Sequence, residues 1–308
     1  MHEIFFLGLS FLLVIGAAQP VTPQTSPSKL IFDTDIGDDI DDAYALGFLL
    51  RSPEVSVVGV TTAFQDTHLR ARLATRFLNL AGRSDVPVYE GPKTGGKSNF
   101  TQSKWAEGSP DRTYPDAITF ILDTIRKYPG EITLVAVAPL TNVGPLIAQD
   151  PKTFRKLKRV VIMGGSVSRG YRTKEQPEAE WNIVNDVPAA KALFESGVPL
   201  YVMPLDSTQI PLDPERQREL FAKGTGMAKE FEELTAEWSA ATHHESPTLF
   251  DVVAAAYAVK PEICPTTAMR IEVDDKGFTR KVDGVANANV CLHSATVSFF
   301  NLFMPRAF

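Results

Sequence analysis

A chain of 308 residues with 44% hydrophobic side chains has enough apolar material for a large core, and α/β chains of this length commonly form one domain. Its 31 Lys and Arg are outnumbered by 37 Asp and Glu, a formal net charge of −6, which argues against a nucleic-acid-binding surface. There is no internal repeat and no low-complexity tract. The chain opens with Met1-His2-Glu3, an apolar run from Ile4 to Gly16, the small residues Gly16-Ala17-Ala18 and a Pro/Thr/Ser stretch to Ser28. The run is too short to span a bilayer comfortably. The pattern predicts a secretory signal peptide over 1–18, a linker over 19–28 and a single domain over 29–308, hence a secreted or periplasmic protein with no stable membrane insertion after signal removal. The first three residues lack Lys and Arg, so an uncleaved anchor or a misplaced start stays open.

Beyond the linker, apolar runs alternate with helical patterns. Strands are predicted over 29–33, 55–61, 86–89, 132–137, 159–163 and 199–203, and helices over 41–51, 67–81, 115–128, 143–149, 187–196 and 249–258. Strands alternating with helices imply βαβ units, so the predicted fold class is α/β: an open, mostly parallel, Rossmann-like sheet flanked by helices. The segment 91–115 reads as a long surface loop, and 211–248 as polar and helix-prone, placed to flank or cover a site. From Met269 the tail is β-rich, with Asp274-Asp275-Lys276-Gly277 as a hairpin turn. Only Cys264 and Cys291 occur. Two separately buried thiols are the expected state, with pairing open in an oxidising compartment.

The densest chemistry lies at the end of the first strand. Leu30 to Phe32 is an apolar strand, and from Asp33 to Asp42 six of ten residues are aspartates: Asp33, Asp35, Asp38, Asp39, Asp41 and Asp42. Gly37 allows a tight turn there, and the helix follows at once. The acids therefore sit at the carboxyl end of a strand, where open α/β sheets place their ligands. So many like charges in one turn repel, and a hard divalent cation with oxygen ligands is the simplest neutraliser. A solvated acidic loop at a helix N-terminus is the bland alternative. A phosphatase built on Asp33-Thr34-Asp35 is another, although Gly37 stands where those enzymes carry Thr or Val.

The segment Asp33-Thr34-Asp35 with Gly37, then Asp41-Asp42-Ala43, resembles the signature of the inosine-uridine-preferring nucleoside hydrolases. Further matches follow in the family's order: Gly59-Val60-Thr61-Thr62, Ile132 through Asn142, Val161-Ile162-Met163-Gly164-Gly165, Glu180-Trp181-Asn182-Ile183, and Asp251 opening an apolar helix. The resemblance spans nearly the whole chain after residue 29. It implies the nucleoside hydrolase fold and Ca²⁺-dependent hydrolysis of the N-glycosidic bond of small-molecule ribonucleosides to base and ribose, as in purine and pyrimidine salvage. A homo-oligomer is compatible with it.

By the same resemblance Asp35 ligates Ca²⁺ and acts as general base on a water. Asp42 and Asp251 are further ligands, and a backbone carbonyl ligand falls on Val137. The family's shorter acidic turn would put Ile40 at a ligand position. A loop longer by two residues instead aligns Asp41 and Asp42 with the family pair, making Asp41 the acceptor of the ribose 2′-hydroxyl. Asp38 and Asp39 are then extra, either supporting the metal or, the favoured reading, simply solvated, and Asp33 lies deeper as support. Glu180 and Asn182 match residues that bind ribose hydroxyls. Their alternate spacing predicts an extended segment with Trp181 turned away. Met163 matches an apolar wall beneath the sugar, and Asp66 stands where the family often has Asn, as a substrate-binding candidate whose carboxylate can accept a ribose hydroxyl.

One departure concerns the leaving group. Purine-active members commonly carry His just before the last ligand, and here that residue is Phe250, which has no proton to give. His243, His244, Tyr171 and Trp238 are the substitutes in reach, each with an ordinary structural reading. A non-catalytic nucleoside- or ribose-binding relative therefore stands as the alternative to an enzyme, ahead of a metal-dependent phosphatase.

Overall fold

The structure is a computed structural model describing residues 1–2, 26–95 and 100–307. The apolar run of the expected signal peptide and most of the 19–28 linker lie outside the described residues. Nine strands form one sheet among the described residues: β1 (Ser28–Thr34), β2 (Val55–Thr62), β3 (Val88–Glu90), β4 (Thr133–Ala136), β5 (Arg159–Met163), β6 (Leu200–Met203), β7 (Thr267–Val273), β8 (Thr279–Val282) and β9 (Ala288–Val290). Their order is β3-β2-β1-β4-β5-β6-β9-β7-β8. All neighbours from β3 to β9 run parallel, and β7 runs antiparallel to both β9 and β8. The order reverses between β1 and β4, the topological switch point at which such sheets bind ligands.

The helices in chain order are α1 (Asp41–Leu50), α2 (Thr67–Leu80), α3 (Ser103–Glu107), α4 (Ala117–Lys127), α5 (Val143–Gln149), α6 (Pro151–Phe154), α7 (Trp181–Val184), α8 (Val187–Phe194), α9 (Leu205–Thr208), α10 (Pro214–Phe221), α11 (Gly226–Thr242), α12 (Phe250–Val259) and α13 (Thr296–Phe303). In α4, Ile118, Ile121, Leu122 and Ile125 are buried at helical spacing, and Asp116 caps the start by accepting the Thr119 amide at 2.7 Å. Losing such a cap costs about 1 kcal/mol. The stretch 91–115, expected to be loop throughout, contains α3.

The central strands are apolar on both faces because helices cover both. Alternate residues go to opposite layers. Leu30, Phe32, Val135 and Val161 join the core beneath α1, α2, α11, α12 and α13, whereas Ile31, Leu134, Val160 and Ile162 join the core beneath α4, α5 and α8. Helices α1 and α12, buried along almost their whole length, pack against each other on the first face.

The tail forms the expected hairpin, with the Gly277 amide donating to the Asp274 carbonyl at 3.0 Å. The expectation of two separate thiols is corrected. Cys264 follows the 3₁₀ turn after α12, Cys291 follows β9, and the pairing of β6 with β9 brings their Cα atoms to 5.7 Å in a disulfide. The pairing depends on a strand order that residue spacing does not disclose.

Candidate active site

A cleft of about 410 Å³ opens over the carboxyl ends of β1, β4 and β5. Its floor is the acidic turn. Strand β1 delivers Asp33 and Thr34, the chain turns at Gly37 with φ of +124°, and α1 starts at Asp41. A Cβ on Gly37 would meet the Phe100 ring at 2.2 Å, so close packing as well as backbone angle requires glycine there.

Three carboxylates converge. Asp41 and Asp42 from the first turn of α1 and Asp251 from the first turn of α12 place ligand oxygens within 4.8 Å of one another. The positive ends of two helix dipoles meet at this point, which favours negative charge. The Asp251 amide donates to Asp41 Oδ2 at 3.0 Å, and the Thr34 hydroxyl donates to Asp42 Oδ1. Burial pushes Asp42 up to about 7, against the opposing hydrogen bond from Thr34. It also pushes Asp35, Asp41 and Asp251 well above the usual carboxylate range, with mutual repulsion adding to the shift. These acids cannot all ionise in a dry pocket without a cation. The all-oxygen donor set fits a hard divalent ion.

Asp35 lines the same cleft but lies outside that close group. Asp41, expected on the ribose side alone, lies within it. Asp33 sits deeper, as expected. Its Oδ1 accepts from the Thr61 hydroxyl and the Asn142 amide, both at 2.6 Å, and burial raises it to about 6. The two extra acids are half-buried in the cleft lining and have protein partners: Asp38 pairs with Arg70 at 3.1 Å, and Asp39 accepts the Ile40 amide at 2.8 Å and a hydrogen bond from Trp238. Turn geometry folds both side chains back onto neighbouring elements.

On the opposite wall the structure departs from the extended segment expected at 180–182. Glu180 is the N-cap of α7, and its carboxylate accepts from the amides of Asn182 at 2.9 Å, Ile183 at 3.2 Å and Gly165 at 2.9 Å. Burial raises Glu180 to about 7. Asn182 turns its amide nitrogen to the carbonyls of Val137 at 2.9 Å and Met163 at 3.0 Å. Val137, Met163, Glu180 and Asn182 all line the cleft. So does Trp181, which is half exposed and not turned away, because one helical turn replaces the extended geometry. Asp66 does not line the cleft. It caps α2 through the Leu69 amide at 3.2 Å and pairs with Lys93 at 3.4 Å. Its neighbour Gln65 lines the cleft instead, because Phe64 and Gln65 both take left-handed backbone angles, φ 66° and 56°.

The remaining wall is aromatic. Phe250, Tyr171 and Trp238 line it, with Tyr171 and Phe250 edge to face at 6.4 Å. The Tyr171 hydroxyl accepts the Trp181 amide at 2.9 Å and is also hydrogen-bonded to Glu180. Helix α11, within the segment expected to cover the site, delivers Trp238 and Thr242. His243 and His244 are exposed beyond its end, outside the cleft lining.

Sequence reasoning missed Arg70, which lies fully buried beneath the acidic turn. The signal was present: Arg70 shares a face of α2 with Leu73, Ala74 and Phe77, at spacings of three, four and seven, and a charge on an apolar face needs a buried partner.

The model of the family described as "Inosine-uridine preferring nucleoside hydrolase" matches residues 30–301. A protein of Oryza sativa subsp. japonica named probable uridine nucleosidase 2 is 36% identical over 197 residues, covering 58% of this chain and 57% of its own length. The chain thus spans less than two thirds of that relative. The pyrimidine-specific ribonucleoside hydrolase RihA of Enterobacter sp. (strain 638) is 32% identical over 269 residues, covering 80% of this chain and 84% of its own. The solved structure of a purine-preferring ribonucleoside hydrolase from Gardnerella vaginalis superposes with a TM-score of 0.79 at 27% identity, covering 91% of this chain and 98% of that one. With the acidic turn, the switch-point cleft and a family match running almost from β1 to the end of α13, the chain belongs to the inosine-uridine preferring nucleoside hydrolase family.

Proposed function

We propose that this chain is a Ca²⁺-dependent ribonucleoside hydrolase that cleaves the N-glycosidic bond to free base and ribose. The observation that carries the reading is the convergence of Asp41, Asp42 and Asp251 from two helix N-termini at the switch point of the sheet. Asp35, Asp42, Asp251 and the Val137 carbonyl are the proposed holders of the ion. When bound, Ca²⁺ lowers the pKa of a water and holds ribose hydroxyls. Asp35 takes the proton from the attacking water as its oxygen bonds to the anomeric carbon. The C–N bond breaks, and its electron pair leaves with the base nitrogen. Asp41 and Asn182 orient the sugar hydroxyls, and Met163 lies against the sugar. Glu180 supports Asn182 through its backbone amide. Phe250, Tyr171 and Trp238 form the wall for the base.

Because the curated relatives are named for uridine and pyrimidine ribonucleosides, uridine is the first substrate to try. The test is release of base and reducing sugar from uridine, cytidine and inosine, with Ca²⁺ and with a chelator. Release that depends on Ca²⁺ is expected. Tight nucleoside binding with no release from any riboside, activated ones included, would favour the binding relative that Phe250 keeps in view. Export to an oxidising compartment is proposed as well, supported by the Cys264–Cys291 disulfide.

A further inference from the structure

The turn between β1 and α1 and the first turn of α1 together carry five carboxylates, and one buried cation reaches beneath them. Arg70 on α2 is fully buried and spends its guanidinium almost entirely on the backbone. Nη1 donates to the Asp35 carbonyl and to the Ile36 carbonyl, the latter at 3.2 Å. Nε donates to the Phe64 carbonyl at 2.9 Å, and Nη2 donates to Asp38 at 3.1 Å. The Phe100 ring covers the guanidinium at 5.2 Å. One planar fork therefore ties together two loops that line the cleft, the acidic turn and the β2–α2 connection.

The choice of acceptors is informative. A cation present only to neutralise the acids would contact carboxylates. Three of these four acceptors are carbonyls, and two of those belong to Asp35 and its neighbour. The third, Phe64, holds a left-handed backbone conformation that bulky residues rarely adopt. Such an outlier persists only where its surroundings over-determine it. The Arg70 bond to its carbonyl, and the Thr141 hydroxyl accepting its amide at 3.0 Å, supply that constraint. A flexible ammonium cannot reproduce a fork of fixed donors.

We propose that Arg70 is a positioning residue for the metal site: its fork fixes the backbone at Asp35 and Ile36, and so sets the register in which the acidic turn presents its carboxylates to a divalent ion. The inference rests on reading that turn as a Ca²⁺ site. It makes a claim opposite in sign to electrostatics. A positive charge near a dication site opposes the dication, so removing that charge tightens binding if charge is all that matters. Removing a positioning residue loosens it.

The experiment is calorimetric titration of Ca²⁺ into the full chain, stripped by chelator, in alkaline buffer where the carboxylates are ionised. Arg70→Lys keeps the charge and loses the fork, whereas Arg70→Met loses both. Both are expected to bind Ca²⁺ at least about tenfold more weakly than the wild type, with a smaller Ca²⁺-induced rise in melting temperature. Arg70→Lys binding like the wild type, or Arg70→Met binding more tightly, overturns the inference and leaves the metal reading standing. Wild-type chain that takes up no Ca²⁺ overturns both. If Arg70→Met does not fold without metal, Arg70→Lys decides alone, since it keeps the charge and most of the apolar stem.

Discussion

Asp35 and Phe250 divide the proposed chemistry between them. In the proposed reaction Asp35 accepts the proton of the attacking water, which an amide in its place cannot do. Asp35→Asn is therefore expected to abolish turnover while nucleoside binding, followed by equilibrium dialysis, falls much less. Equal rates for variant and wild type would sink the mechanism. At the other end of the bond Phe250 can pack against a base but cannot protonate it. General acid catalysis typically supplies about 10²–10⁴-fold, so a nitrophenyl riboside, whose leaving group departs unaided, is expected to outpace inosine by a margin of that order. Phe250→His is expected to narrow the gap by raising the inosine rate. A gap unchanged in Phe250→His but widened by His244→Ala would move the acid to the segment just after α11. The aspartates proposed for this chemistry were legible as candidates because each is a carboxylate at a strand end or helix start. Gln65 and Trp181 were not, since their places depend on a left-handed turn and a one-turn helix that no local pattern announced, whereas Arg70 was announced by the apolar face it shares and was overlooked.

At the scale of elements, the first turn of α2 is held on two sides: Arg70 grips the acidic turn, and His68 grips the elements opposite. The His68 ring bridges Glu90 at the end of β3 at 2.8 Å and Asp111 in the connection to α4 at 2.7 Å, and stands edge to face with Tyr114. Hydrogen bonds to Glu90 and then Asp111 raise its pKa above the ordinary 6.5. A histidine raised on folding stabilises the fold fully below its unfolded pKa, and that contribution disappears as pH climbs through the folded value. The melting temperature is thus expected to fall from about pH 6.5 upward, and His68→Asn is expected to flatten that decline. A profile identical in the variant would show that the bridge contributes nothing. Segment 100–102 links this clamp to the cleft, because the Gln102 side chain donates to the Asp39 carbonyl at 2.7 Å and the Thr101 hydroxyl to that of Asp38 at 2.8 Å. The two extra aspartates are absorbed by these contacts with a distant loop, which composition alone presented as solvent-exposed charge.

For the whole molecule, six parallel strands and their crossover helices followed from the alternation of apolar runs with helical periods, and the position of the site followed from the strand order those crossovers impose. The C-terminal strands resisted such reading. Strand β9 inserts between β6 and β7, so the last strand of the chain is not an edge strand, and only that insertion brings Cys291 to Cys264. The cystine encloses β7, β8 and β9 in a covalent ring, one exposed corner of which is the turn at Asp275-Lys276. A protease that cuts the backbone there would change the connectivity of the chain without releasing a fragment. The clipped protein is expected to migrate as one band on a denaturing gel without reductant and as two with it. Two bands without reductant would mean that the ring is open. A single backbone cut in the ring thus yields a two-chain protein joined through sulfur, with the Asp251 helix on one chain and the final sheet strand on the other.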